Sequence, residues 1–119
     1  MARMTIAQRR EMGLDRLIAY KTSTPTEADY TEARRLMNSF YRLCGLSYRV
    51  CMLQNSETTC NGRYCAEQEA KEEKWFNRLK GEFNRLYGLD LYYSGICPSI
   101  GTKNENGGVS EKISRYFYN

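Results

Sequence analysis

Residues 35–46, RLMNSFYRLCGL, and residues 78–89, RLKGEFNRLYGL, share seven identities at an offset of 43 positions. Each segment carries leucine and phenylalanine at helical spacing, then an arginine, and finally a glycine. A glycine after the last apolar residue is typical of a helix that ends in the left-handed conformation. Both copies therefore predict the end of an amphipathic helix, at Gly45 and at Gly88, followed by an extended segment.

Three amphipathic helices account for most of the apolar periodicity. The second has the clearest start, because Thr24, Pro25, Thr26 and Glu27 form a capping-box pattern with proline at the first helical position. Apolar and polar residues then alternate in two segments, as they do in strands that are buried on one face. The predicted helices cover residues 5–20, 24–45 and 64–87, and the predicted strands cover residues 46–53 and 89–93.

Two other parts of the chain carry loop signals. Residues 1–5 and 98–108 are expected to be flexible or loop, and Cys97-Pro98-Ser99 marks the start of the second region. Residues 109–118 fit either a helix or a strand. In the second case Asn106-Gly107 would close a hairpin with the preceding segment.

The repeat has two interpretations. Any amphipathic helix that ends in glycine and leads into a strand uses this pattern, or else the chain contains a duplicated helix–strand unit. If the two strands were adjacent in one sheet, the helical connection between them would make them parallel and right-handed. We expect a single domain over residues 1–119 of the α+β class, with three helices and a small two- or three-stranded sheet. The alternative is an all-α bundle in which the strand segments are extended loops.

The charge is modest and concentrated at the start of the chain. The formal net charge is +4, and residues 1–21 carry most of the excess through Arg3, Arg9, Arg10, Arg16 and Lys21. A dedicated DNA-binding domain usually has a larger basic footprint. The sequence contains neither the apolar core of a secretory signal nor a membrane-spanning run. We therefore expect a cytoplasmic protein.

The absence of histidine excludes several chemistries. The chain has none, which removes Ser-His-Asp and Cys-His nucleophile pairs and the most common metal ligand. It also has no Gly-x-Gly-x-x-Gly or Walker-type phosphate loop. The sequence therefore predicts a protein that is not an enzyme and that needs no cofactor.

The five cysteines leave three alternatives open. Cys60 and Cys65 flank an Asn-Gly turn and could hold zinc together with Cys51 and Cys97, or could form a disulfide across the turn. Free thiols are the expectation for a cytoplasmic protein, and no metal site is expected. Cys44 lies on an apolar stripe as a small core residue. The acidic run Glu67, Glu69, Glu72 and Glu73 is expected to be a solvated helix start.

Many arginines and tyrosines fall outside the apolar stripes, and both residue types are enriched at protein interfaces. We therefore expect a small protein that acts by contact with another protein. A phage or mobile-element accessory protein that inhibits a host enzyme would fit this description. One alternative is a nucleic-acid- or nucleotide-binding protein that uses the N-terminal arginines and exposed tyrosines, and another is a Cys-ligated zinc module. The candidate binding residues are Arg9, Arg10, Arg42, Arg49, Arg85, Tyr48, Tyr92, Tyr93 and Arg115.

Overall fold

A computed structural model describes residue 3 and residues 5–55, 63–94, 97–103 and 109–110. Three long helices are followed by three short strands, so the α+β class is confirmed. The elements are α1 (Ile6–Lys21), α2 (Glu27–Gln54), α3 (Arg63–Tyr87), β1 (Asp90–Ser94), β2 (Cys97–Lys103) and β3 (Val109–Ser110).

Helix α1 begins with a capping box. The Thr5 hydroxyl accepts a hydrogen bond from the Gln8 amide at 3.1 Å, and the Gln8 side chain accepts one from the Thr5 amide at 2.8 Å. Both orphan amides are thereby satisfied at an exposed helix start. Leu14, Leu17 and Ile18 are buried on the inner face, as their spacing predicts.

Helix α2 begins two residues later than the predicted capping box. The capping residue is Thr26 and not Thr24, and its partner is Asp29 and not Glu27. The Thr26 amide donates to the Asp29 carboxylate at 2.9 Å. This bond, with a second from the Thr26 hydroxyl, holds the pKa of Asp29 below its ordinary value. The predicted box was wrong because two overlapping Thr-x-x-acid patterns occur here, and sequence alone does not rank them.

Helix α2 continues through Gly45, so the strand predicted for residues 46–53 is wrong. Leu43, Ser47 and Val50 extend the buried stripe at helical spacing for two further turns. Among the described residues Gly88 is the one glycine with a positive φ, so Gly45 keeps an ordinary helical backbone. The predicted parallel strand–helix–strand unit is therefore absent, and the first copy of the repeat does not form a helix–strand unit.

The second copy of the repeat behaves as predicted. Helix α3 ends at Tyr87, and Gly88 follows with a φ of +66°. The Gly88 amide donates to the Asn84 carbonyl at 2.9 Å. Leu89 then leads into β1, where Leu91 is buried. The left-handed turn at Gly88 reverses the chain, so that β1 packs back against α3.

The sheet is an antiparallel meander in the order β1-β2-β3. Strand β1 pairs with β2, with Leu91 opposite Ile100 and Tyr93 opposite Pro98. Val109 and Ser110 pair with the end of β2, in agreement with the strand alternative at these two residues. Residues 111–118 and the predicted turn at Asn106-Gly107 lie outside the described part of the structure.

Strand β2 corrects the expectation that residues 98–108 are loop, because residues 98–103 belong to it. Pro98 has no N–H to donate, which usually excludes proline from a central strand. The described part of β3 pairs only with Thr102 and Lys103. At Pro98 the strand therefore has β1 on one side and no described strand on the other.

The core lies where α2 meets both other helices and the sheet. Phe40 of α2 and Phe83 of α3 pack edge to face, with ring centroids 6.4 Å apart, an arrangement that aromatic pairs favour. Lys21 of α1 joins Asp29 and Glu32 at the start of α2. In the part of the chain that the structure describes, no helix is long and apolar enough to cross a membrane. The buried cluster is Leu14, Leu17, Ile18, Ala33, Leu36, Met37, Phe40, Leu43, Leu79, Phe83, Tyr87, Leu89, Leu91 and Ile100.

Alanine in place of each repeat glycine should have opposite effects on stability. Gly45→Ala should raise the free energy of unfolding by about 0.5–1 kcal/mol, because glycine is costly inside a helix. Gly88→Ala should lower it by about 1–2 kcal/mol, because an alanine there must adopt a positive φ. Urea denaturation of the purified variants measures both.

Gly81→Ala is the matched control, since Gly81 is exposed inside α3 and an added Cβ meets nothing within 4 Å. It should stabilise the protein as much as Gly45→Ala does. If Gly45→Ala destabilised the protein as strongly as Gly88→Ala, helix α2 would not continue through Gly45.

Candidate protein-binding surface on helix α2

One side of the second half of helix α2 is exposed and carries a mixed apolar and basic surface. We call Arg42, Gly45, Tyr48, Arg49 and Met52 the α2 outer face. All five are exposed, and 60% of Tyr48 and 55% of Met52 is accessible to solvent. Their spacing of three and four residues places them on one side of the helix. Three of them, Arg42, Tyr48 and Arg49, are candidates that the sequence pointed to.

The α2 outer face lies opposite the buried stripe of α2, in the half of the helix that α1 does not reach. Helix α1 is about 24 Å long and α2 about 42 Å, at 1.5 Å per residue. The two helices run antiparallel, since Lys21 contacts Glu32 near the start of α2 and Arg10 lies over the Tyr41 ring at 4.3 Å. Helix α1 therefore runs beside the first half of α2 and starts near its middle.

Beyond its first two turns, helix α2 carries only positive charge. Residues 33–54 include four arginines and no aspartate or glutamate. Arg34 pairs with Glu11 at 3.6 Å, and Arg35 pairs with Glu82 at 3.2 Å. Arg42 and Arg49 form no ion pair with any residue in the described ranges. The α2 outer face therefore presents two arginines that no described carboxylate neutralises.

Gly45 makes a shallow gap in the middle of this surface. A Cβ built at this position would meet no atom within 4 Å. The fold therefore does not require glycine here for close packing, and the backbone is exposed between Arg42 and Tyr48.

A groove between α2 and α3 lies on the inner side of the same helical region. It encloses about 490 Å³. One Glu72 oxygen accepts hydrogen bonds from the Ser47 hydroxyl, at 3.0 Å, and from the Tyr93 hydroxyl. The Tyr93 ring stacks on Phe76 with centroids 4.7 Å apart. The residues that line the groove are Ser47, Val50, Cys51, Gln54, Glu69, Glu72, Glu73, Phe76 and Tyr93.

Glu72 therefore ties two helices and the sheet together, which corrects the expectation of a fully solvated acidic run. Partial burial, followed by the hydrogen bond to Glu72, raises the pKa of the Tyr93 hydroxyl above its ordinary value. Glu69 likewise accepts a bond from the Gln54 side chain. The partners of these carboxylates are distant in sequence, so no local pattern indicates the contacts.

The remaining candidates do not gather into one site. Arg10 stacks on Tyr41, Arg85 is exposed on α3, and Tyr92 is partly buried on β1. Arg42 lies in the middle of its helix and Arg85 in the last turn of α3, so their matching positions in the repeat are not equivalent in space. The Arg9 side chain and Arg115 lie outside the described part of the structure.

The cysteines divide into two states. Cys44 and Cys51 are not in a disulfide, whereas Cys65 is disulfide-bonded, so the expectation of free thiols is wrong at Cys65. A cysteine in a disulfide has no thiolate to offer, which removes Cys65 from the proposed zinc set. The side chains of Cys60 and Cys97 lie outside the described residues. Within the described ranges, no three His, Cys, Asp or Glu side chains are placed to hold a metal ion.

Gly45 and Met52 were missed as surface residues because they were assigned to a helix end and a strand. The available signal was the helical spacing of Leu43, Ser47 and Val50 beyond the glycine. That periodicity indicates one continuous helix, on which Tyr48, Arg49 and Met52 lie on the side opposite the buried residues.

No protein-family model matches this chain, and neither does any curated protein or solved structure. Function is therefore inferred from the geometry and charge of the chain itself.

The Tyr93 hydroxyl should contribute measurably to stability. Tyr93→Phe keeps the ring that stacks on Phe76 and should lower the free energy of unfolding at neutral pH by about 1 kcal/mol, the usual value of a hydrogen bond. Because the folded-state pKa is raised, this stabilisation is present below the ordinary tyrosine pKa of about 10 and declines above it. Denaturant unfolding from neutral to alkaline pH measures both effects.

Tyr48→Phe is the matched control, because this hydroxyl is exposed and forms no hydrogen bond with a described residue. It should change the free energy of unfolding by less than about 0.5 kcal/mol. Equal effects of the two substitutions would contradict a structural role for the Tyr93–Glu72 bond.

Proposed function

We propose that this protein acts by binding another protein through the α2 outer face and not by catalysing a reaction. The exposure of two large apolar side chains, Tyr48 and Met52, on the same side as Arg42 and Arg49 is the observation that carries the proposal. Neither arginine forms an ion pair with a described residue. Tyrosine, methionine and arginine are enriched at protein interfaces, while lysine and the acidic residues are depleted. The α2 outer face has this composition.

The α2–α3 groove is large enough for a small ligand, but its chemistry favours a structural role. Ser47 and Tyr93 both donate to Glu72, and Gln54 donates to Glu69. The Cys51 thiol accepts a bond from the Asn55 amide at 3.3 Å, and an amide cannot act as a general base. The Ser47 and Tyr93 hydroxyls share one Glu72 oxygen, and this contact joins α2, α3 and β1, as expected of a structural role.

Nucleic-acid binding receives less support from the geometry. Arg10 lies over Tyr41 and Lys21 joins two carboxylates, so two cations of the N-terminal basic excess already have partners within the fold. A helix that binds phosphates usually presents a continuous row of free basic side chains.

An inhibitory role toward a host enzyme, as in phage or mobile-element accessory proteins, remains the particular form of protein binding that we propose. Such a role needs an exposed contact surface and no catalytic group of its own.

The proposal predicts a site-specific protein contact at position 48. Tyr48 replaced by the photoreactive residue benzoyl-phenylalanine should form a discrete protein adduct in cells of the source organism, because this side chain would be buried in the complex. The same residue in place of Lys74, which is exposed on α3, is the matched control and should form no such adduct. Gel electrophoresis and mass spectrometry identify the products.

The captured partner, purified separately, should bind the wild-type protein about tenfold or more tightly than the double variant Tyr48→Ala, Met52→Ala. Both side chains are exposed, so folding of the variant should be nearly unchanged. Adducts of equal yield at positions 48 and 74, or none at 48, would reject the α2 outer face as the working surface.

A further inference from the structure

We propose that the partner presents an acidic surface with an apolar centre. Its carboxylates would pair with Arg42 and Arg49, and an apolar side chain would enter the gap at Gly45, beside Tyr48 and Met52. This inference rests on the proposed function and specifies the chemistry of the partner.

The first step of the argument is charge. No acidic residue occurs between residues 33 and 54, and the two arginines nearest the start of this range are paired within the fold. Arg42 and Arg49 are seven residues apart, which is two helical turns or about 10.5 Å. A partner with two carboxylates at that separation would satisfy both arginines without moving the helix.

The second step is shape. In helix packing, a side chain of one helix enters a hole formed by four residues of the other, at positions i, i+3, i+4 and i+7. Gly45, Tyr48, Arg49 and Met52 have this spacing, and the missing side chain at Gly45 deepens the hole. Glycine costs about 1 kcal/mol relative to alanine inside a helix, and no contact within the fold requires it at this position.

An exposed glycine inside a helix is not by itself enough to indicate a binding surface, as Gly81 shows. Gly81 is also exposed inside a helix, with open space around an added Cβ. Its neighbours one turn away, Asn77, Arg78, Asn84 and Arg85, are all polar or charged. At Gly45 the exposed Tyr48 instead lies one turn away and the exposed Met52 two turns away on the same side, and they supply the contact area that an interface needs.

A second copy of this chain is a poor partner for the α2 outer face. Two such faces in contact would bring their arginines together with no carboxylate between them. The groove glutamates Glu69, Glu72 and Glu73 do not remedy this, because the groove lies on the inner side of α2 and not on the α2 outer face. Charge complementarity therefore selects a different, acidic protein.

Three synthetic helical peptides with one leucine stripe, flanked by glutamate, glutamine or lysine, test this inference. NMR titration of the isotope-labelled protein should show amide shifts centred on Gly45, Tyr48, Arg49 and Met52. The glutamate peptide should bind about three- to tenfold more tightly than the glutamine peptide, as expected for two exposed ion pairs. The lysine peptide should bind most weakly.

Charge reversal provides the control. The double variant Arg42→Glu, Arg49→Glu should invert the order and prefer the lysine peptide. The double variant Lys71→Glu, Lys74→Glu changes the net charge equally on exposed positions of α3 and should keep the wild-type order.

The outcomes separate this inference from the proposed function. Equal affinity for all three peptides, or shifts outside the α2 outer face, would overturn the acidic partner. A single-stranded oligonucleotide that shifts the same amides more strongly than the glutamate peptide would replace it with nucleic acid. The proposed function falls only if cross-linking at position 48 fails, which the peptide titration does not measure.

Discussion

Burial of one continuous apolar stripe on helix α2 is the constraint on which the rest of the structure depends. The stripe runs from Ala33 to Val50 without interruption at Gly45, and Phe40 at its centre packs on Phe83. Because these residues share one side of the helix, α1, α3 and the sheet gather around that side. The opposite side of α2 is left to solvent by the same geometry, and the proposed binding surface is a direct consequence of how the core is filled.

Different contacts hold the two ends of this arrangement. Around the start of α2, ion pairs link Lys21 to Asp29 and Glu32, and Arg35 to Glu82. Near the end of α2, Glu72 of α3 accepts hydrogen bonds from Ser47 and Tyr93. The first set occupies charged side chains that would otherwise be available to a partner, and the second fixes α2 against α3 and β1. The α2 outer face is thus presented on a supported helix, and its arginines form no ion pair with the part of the chain that the structure describes.

Prediction from sequence succeeded where local signals agreed and failed where they competed. Helix α1, helix α3 and strand β1 were placed within a residue or two, because the apolar periodicity and the glycine at position 88 indicate the same boundaries. Gly45 offered the same local pattern as Gly88, yet the stripe beyond it could be buried only as a helix. Pro98 carries a loop signal, yet it lies in β2, where no described strand pairs on one side. Of the candidate site, Arg42, Tyr48 and Arg49 were identified by residue type, while Gly45 and Met52 were not.

The amino-acid sequence by itself determined the helical class of most of the chain, the exclusion of histidine-based chemistry and the acid-free run over residues 33–54. These properties depend on composition and on periodicity within one element. The tertiary structure decided whether each glycine ends a helix, which arginines are paired and which side of α2 is exposed. Those outcomes depend on what packs against each residue, and the partners, such as Glu72 for Ser47 or Phe83 for Phe40, lie tens of positions away along the chain. Local sequence cannot specify such contacts, because their free energy arises only when distant elements meet.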